Sequence, residues 1–243
     1  MFILGISGRK QSGKSTTGNF IVSIYLSDLA ISENVYLNEY GQIIVSDLLG
    51  DKNYAGVFDP TNIYSDDYTI KQVIQRLRGL IKIYNFADVL KQDVCMGLLG
   101  LTYEQCYGTD DEKNRPTDMM FDGKNMSSRE ILQFIGTDIF RTLKPNIWVD
   151  ATIKKIQKER PKLAIITDCR FPNEVQSIKD NGGKVLRLTR DPHHSDHISE
   201  SVLDMDRYNW NNFDHIIDNK NMPMLEQLSE TQKILSLILE SKI

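Results

Sequence analysis

The sequence predicts an α/β protein, a parallel sheet with helices on both faces, and three observations predict it. Short apolar runs of strand type alternate along the chain with helical patterns, the rhythm of right-handed crossovers. One run, Leu163-Ala164-Ile165-Ile166-Thr167-Asp168, is apolar on both faces and closes on a carboxylate, as a central parallel strand does. The first run, Phe2-Ile3-Leu4-Gly5-Ile6, leads into Gly8-Arg9-Lys10-Gln11-Ser12-Gly13-Lys14-Ser15, the G-x-x-x-x-G-K-S spacing of a phosphate-cradling P-loop.

In order, the first run is a buried strand, and Ser15 to Leu26 places Phe20, Ile21 and Ile24 at helical spacing. Leu80 to Phe86 is the second strand of the sheet and Leu163 to Asp168 the third. Lys184 to Leu188 and Phe213 to Ile217 complete it. Helical patterns run from Asp88 to Leu99, Ser127 to Leu143, Ile147 to Lys158, Pro172 to Asp180 and Leu225 to Leu239. Ser127 and Glu130 have the spacing of a capping box, which fixes a helix start there. A ligand of such a sheet binds at the carboxyl ends of its strands.

The chain reads as a single domain over residues 1–243 with two irregular stretches. Residues 28–79 form an insertion, either a small subdomain or a partner surface: Val35 to Val45 is a hairpin turning near Gly41, and Gly50 to Asp67 reads as loop. Residues 108–125 form a polar, breaker-rich loop that is either a mobile lid or solvated surface.

The composition is that of an ordinary globular protein, and a net charge of −4 gives no footprint for duplex nucleic acid. Cys95, Cys106 and Cys169 are odd in number and widely spaced, which argues for reduced thiols and against zinc. His193, His194 and His197 cluster without metal-ligand spacing and read as a polar loop. No apolar run is long enough to span a bilayer, so the expectation is a cytoplasmic protein with no membrane partner.

In the P-loop the glycines let backbone N–H groups aim at a polyphosphate, Lys14 reaches its outer phosphates, and Ser15 ligates Mg²⁺. ATP or GTP is the implied ligand. Asp168 stands where an acid reaches that magnesium through water, with Arg170 beside it and Glu174 on the next helix. Phosphoryl transfer needs an acid and a guanidinium there, because its catalysis is positioning and charge neutralisation; a structural ion pair is the plainer alternative. Lys91, one turn into a helix, adds charge for a second anion. Arg129 and Gln133 share a helix face suited to a phosphate and a base edge. Trp148 is either a stacking platform or core.

Together, Gly8 to Ser15, F-A-D-x-L-K at 86–91, R-E-I-L-Q-F-I-G-T-D at 129–138 and T-D-C-R-F-P-N-E at 167–174 resemble the deoxynucleoside monophosphate kinases of tailed bacteriophages. Arg190-Asp191-Pro192 and D-H-I-S-E at 196–200 fit the same pattern, and the resemblance covers residues 1–27 and about 80–240. It implies a doubly wound P-loop kinase with strand order 2-3-1-4-5, a helical lid and the inserted hairpin region. It implies transfer from ATP·Mg²⁺ to a deoxynucleoside monophosphate (dNMP) such as dGMP, dTMP or hydroxymethylated dCMP, in host cytoplasm if the chain is phage-encoded.

Carried over by residue, the resemblance puts the donor at Gly8, Ser12, Gly13, Lys14, Ser15, Thr16 and Arg190. It puts the acceptor phosphate at Lys10, Leu90, Lys91 and Lys113, with Lys113 or Arg115 the acting lid residue. Gln133, Gly136, Thr137 and Trp148 surround the acceptor nucleoside. Arg129, Asp168, Arg170 and Glu174 organise the phosphates, with Lys14, Arg129, Asp168 and Arg170 counted as catalytic. Rival readings are a kinase for another small acceptor, such as dephospho-coenzyme A or a sugar, and a nucleotide-sensing protein that grips a partner with the insertion. Homodimerisation stays open.

Overall fold

The computed structural model describes residues 1–192 and 198–240, so His193, His194, His197 and the start of D-H-I-S-E lie outside the described residues. The chain divides into two compact units, residues 1–85 with 156–243, and residues 86–155.

The first unit is built on a five-stranded parallel sheet. In chain order it begins with β1 (Phe2–Ser7) and α1 (Lys14–Asp28). The insertion supplies β2 (Asn34–Leu37), β3 (Ile43–Leu48), β4 (Asp51–Phe58) and α2 (Tyr68–Leu77), and the sheet resumes with β5 (Ile81–Tyr84). The second unit contains α3 (Tyr103–Tyr107), α4 (Asp110–Asn114), β6 (Pro116–Phe121), β7 (Lys124–Ser127) and α5 (Ser128–Gln133). The helix α6 (Ile147–Glu159) follows. Then come β8 (Leu163–Cys169), α7 (Pro172–Asp180), β9 (Lys184–Leu188), α8 (Ile198–Ser201), β10 (His215–Ile217) and α9 (Met224–Glu240).

The spatial order of the main sheet is β10-β9-β1-β8-β5, which reads 2-3-1-4-5 when its strands are numbered along the chain. All six residues of β1 are buried, because it is paired on both edges, with Phe2 opposite Leu163 of β8 and Leu4 opposite Lys184 of β9. The apolar run at the N-terminus is thus a central strand, buried on both faces. Helices flank the sheet: α1 packs on β1, β5 and β8, and α7 on β1 and β9. The face of α1 that is buried centres on Ile21, Val22 and Leu26, while Phe20 and Ile24 are only half-buried.

The insertion is not a separate body. Its strands form an antiparallel sheet, β2-β3-β4, whose Ile43, Val45, Leu48 and Phe58 join the same core as Leu4, Ile6, Ile21 and Ile165. Residues 51–58, expected as loop, pair as an edge strand with β3, Val57 opposite Ile44 and Ala55 opposite Ser46. Its Asp, Lys and Asn residues face solvent, which an edge strand tolerates and local propensity alone reads as loop. Helix α2 was likewise absent from the sequence reading. Asp67 caps it by accepting from Thr69 N–H at 2.8 Å, and Ile70, Val73 and Leu77 are buried at helical spacing.

In the second unit, a core of Leu90, Cys95, Leu101, Cys106, Ile131 and Trp148 lies under helices with widened turns. Leu90–Met96 and Phe134–Arg141 are π-helical where a continuous α-helix was expected; Gly97 N–H, for instance, donates to Gln92 O at 2.9 Å. The Ser127–Glu130 capping box forms as its spacing predicts, with Ser127 N–H donating to Glu130 Oε2 at 2.7 Å. Residues 108–125, read as loop, hold α4 and a hairpin of β6 and β7 that turns through Asp122 and Gly123 at positive φ. The three cysteines are buried and free. Among the described residues no helix is long and apolar enough to cross a membrane.

The hairpin tip of the insertion is fastened to the P-loop helix through Gly41. Its φ is +73°, its carbonyl accepts from Asn19 Nδ2 at 2.9 Å, and a Cβ there would lie 2.8 Å from Thr16 Cγ2. Gly50 has φ +84° but open space around it. Gly41→Ala should therefore cost about 2–4 kcal/mol of stability, backbone strain plus the clash, while Gly50→Ala costs only the strain, about 1–2 kcal/mol. Chemical denaturation of the two variants checks this order.

Candidate active site

The loop between β1 and α1 curls because Gln11 and Gly13 adopt positive φ, 58° and 100°. The central placement of β1 brings that loop to the carboxyl edge of the sheet, beside the ends of β8 and β9. There it opens on a cavity of about 450 Å³. Lys10, Gly13, Lys14, Ser15, Thr16, Asp168, Arg170 and Arg190 all line it, so the structure brings together most of the phosphate-handling residues read from the sequence. Four cations face one carboxylate, an arrangement that favours a polyanion.

Lys14 is buried, and its ammonium donates to the carbonyls of Gly8 at 2.8 Å and Arg9 at 2.6 Å. Burial, and then the positive charge of Arg170, lower its pKa to about 8. Ser12 is buried, with no hydrogen-bond partner for its hydroxyl among the described residues. Ser15, by contrast, is exposed at the first turn of α1.

Arg170 leaves the end of β8 and is aimed by two carboxylates. Glu174 is 3% exposed, and its Oε2 accepts from the backbone N–H of Arg170 at 2.7 Å and of Phe171 at 3.0 Å. That carboxylate caps α7 and fixes the turn that carries Arg170. Glu200 forms an ion pair with the Arg170 guanidinium and also accepts from Lys10 N–H at 2.5 Å. The guanidinium of Arg190 is held by the carbonyls of Asn219 at 3.0 Å and Met222 at 2.5 Å.

Sequence reasoning missed several groups here. Glu200 sat within the I-S-E resemblance but carried no role. Asn219 and Gln227 are buried amides behind the P-loop, separated from it by more than 200 residues. Tyr40, at the tip of the insertion hairpin, lines the cavity and is 77% exposed. An adjoining cavity of about 320 Å³ shares Ser15, Asn85 and Thr167 and is walled by Gln42, Val57, Phe58, Asp59 and Thr61 of the insertion.

The second unit gathers its own cations. The Lys91 ammonium sits over the Tyr107 ring at 4.4 Å, and that phenol donates to Asp88 Oδ1 at 2.9 Å. Burial, then the charge of Lys91, with Arg129 also contributing, lower the pKa of Lys113. Arg129 is oriented by Asn114 at 2.8 Å and Asp110 at 2.6 Å. Arg115 follows α4 at its C-terminal end. Gln133 and Thr137 are exposed, while Gly136 is buried against Leu90. Leu90 and Trp148 belong to the core: the indole is 5% exposed, donates to Gly136 O at 2.9 Å, and packs on Phe140. Trp148 is therefore a core side chain, and its ring is not presented for stacking.

Comparison with known proteins adds the family. The model of the deoxynucleotide monophosphate kinases matches residues 62–232. The chain is 32% identical over 146 residues to a protein of Acanthamoeba polyphaga mimivirus provisionally named a deoxynucleotide monophosphate kinase, a match covering 55% of this chain and 72% of that protein. It is 39% identical over 56 residues to the deoxynucleoside-5'-monophosphate kinase of Escherichia phage T5, covering 23% of this chain and 22% of that one. The P-loop and the three strands of the insertion precede the matched span. With the match to the family over most of its length, this chain belongs to the deoxynucleotide monophosphate kinases, enzymes of phosphoryl transfer.

Proposed function

We propose that the cavity of the first unit binds ATP with Mg²⁺ as phosphoryl donor, and that the cations of the second unit bind the phosphate of a dNMP acceptor. The observation that carries this reading is Lys14, buried on the loop carbonyls in a cavity with Lys10, Arg170 and Arg190 against Asp168. The donor set fits a magnesium nucleotide. A hydroxyl and a carboxylate, Ser15 and Asp168, line one cavity with the cations that would meet the phosphates. Ser15 and Asp168 would hold the Mg²⁺, whose contribution would be to neutralise phosphate charge.

The residues of the chain then divide the work. Backbone N–H groups of the loop and of Thr16 hold the donor phosphates, and Lys14 follows the charge that develops as the terminal phosphoryl group leaves. Arg190, fixed by two carbonyls, flanks the donor nucleotide. Lys10 and Arg170 add positive charge beside the donor phosphates, and in the second unit Lys91, Lys113 and Arg129 neutralise the acceptor. Gln133 and Thr137 contact its nucleoside, with Gly136 and Leu90 shaping the floor. An acceptor phosphate oxygen attacks the terminal phosphorus of the donor, and the bond to the bridging oxygen of ADP breaks. That oxygen is already ionised near neutral pH, so the enzyme needs no general base.

The host cytoplasm is the compartment we infer for this kinase, a reading supported by its viral and phage relatives. Coupled ADP release from MgATP with a panel of deoxy- and ribonucleoside monophosphates tests the whole reading. Turnover confined to deoxynucleotides supports it, and ATP binding without acceptor-dependent turnover overturns it.

Lys14→Met should lower kcat by ~10³-fold or more, measured in the same assay. Lys91→Ala should instead raise KM for the dNMP about 10- to 100-fold, the worth of a charged hydrogen bond, with KM for ATP nearly unchanged. Lys14 must be protonated to meet a phosphate, and with its free-enzyme pKa about 8 it loses that proton as pH rises. Binding then takes up a proton, so ATP affinity should hold below pH 8 and fall roughly tenfold per unit above it. Calorimetry in buffers of different ionisation enthalpy reads both the affinity and the proton.

A further inference from the structure

Behind the P-loop lies a pair of buried amides that no step above uses. Asn219 is 0% and Gln227 1% exposed. The Asn219 side chain has two donors and two acceptor lone pairs, and all four are engaged. Its Nδ2 donates to Ser12 O at 2.8 Å and to Gln227 Oε1 at 2.7 Å, while its Oδ1 accepts from the N–H of Arg190 at 2.8 Å and of Thr189 at 3.0 Å. Gln227, from α9, passes the chain on by donating to Thr17 Oγ1 at 2.9 Å.

The direction of one bond gives this network its meaning. No described peptide bond is cis, and in a planar trans peptide the C=O and the following N–H point opposite ways. Asn219 draws the Ser12 carbonyl inward, so the N–H of Gly13 is turned outward, toward the cavity that Gly13 lines. The glycine itself is required twice: its φ is +100°, and a Cβ would stand 2.7 Å from Gln227 Nε2. The same amide grips the backbone of Arg190, another wall of that cavity.

We propose that Asn219, seconded by Gln227, is a positioning residue of the donor site: it presets the Ser12–Gly13 peptide as a phosphate donor group and ties that group to Arg190. The proposal rests on the reading of this cavity as the ATP site. A purely structural amide would stabilise the fold without favouring one ligand; a positioning amide acts on the donor alone.

Asn219→Asp is the test, because it keeps size and both acceptor contacts but sets a carboxylate oxygen against Ser12 O and Gln227 Oε1. Calorimetric binding of MgATP and of dNMP, with the thermal midpoint, gives three readouts. The expected result is ATP affinity at least tenfold weaker and dNMP affinity within twofold of wild type. ATP affinity within twofold, or an equal loss for both ligands, overturns the proposal. If Asn219→Asp does not fold, Gln227→Met decides: ATP binding about threefold weaker with dNMP unchanged supports it, and wild-type ATP binding overturns it. Wild-type protein that binds no MgATP would sink the donor-site reading and this proposal together. A failure of the brace alone leaves wild-type binding intact.

Discussion

The pairing of β1 on both edges is the constraint on which the first unit depends. A strand buried between β8 and β9 must deliver its following loop to the carboxyl edge of the sheet, and nothing in the loop itself could choose that place. The two neighbours end there as well. Asp168 and Arg170 arrive from β8 and Arg190 from just beyond β9, so strand order alone gathers residues scattered over more than 180 positions. Right-handed crossovers then bring α1 across β1, β5 and β8, with its first turn at the cavity.

Such a gathering of cations is costly until an anion arrives, and the fold meets the cost locally. The ammonium of Lys14 rests on two loop carbonyls, Arg170 pairs with Glu200, and Arg129 in the second unit pairs with Asp110. Arg9, buried beside the loop, is bound to Asp204 and Asp191. Of these, the hydrogen-bond partners of Lys14 are neutral carbonyls, and burial pulls its pKa down to about 8. The groups expected to meet phosphate are held by contacts that a stronger anion can replace.

What the sequence made legible was whatever depends on near neighbours. The P-loop spacing, the capping box of Ser127 and Glu130, and the apolar strand closing on Asp168 each involve a few consecutive residues, and each stands where the pattern put it. Strand β4 was illegible because an edge strand needs no apolar alternation, and the π-helical turns because segments of 7 and 8 residues are under two turns long, too short for a period to show. Trp148 could be read as platform or core, and only its neighbours Gly136 and Phe140 decide for core. Asn219 carried no local signal at all: its meaning is a contact across 207 residues.

The insertion has a consequence for how this kinase could be trimmed. Its strands lie outside the span shared with the family, which invites excision to a minimal enzyme. Yet β2 and β3 pack on α1, and Ile43, Val45, Leu48 and Phe58 complete the same core as Ile21 and Leu26. Cutting out residues 34–58 would strip one side of the helix that begins with Lys14 and leave its apolar face to water. What looks like an accessory is, for this chain, the outer wall of the helix that follows its P-loop.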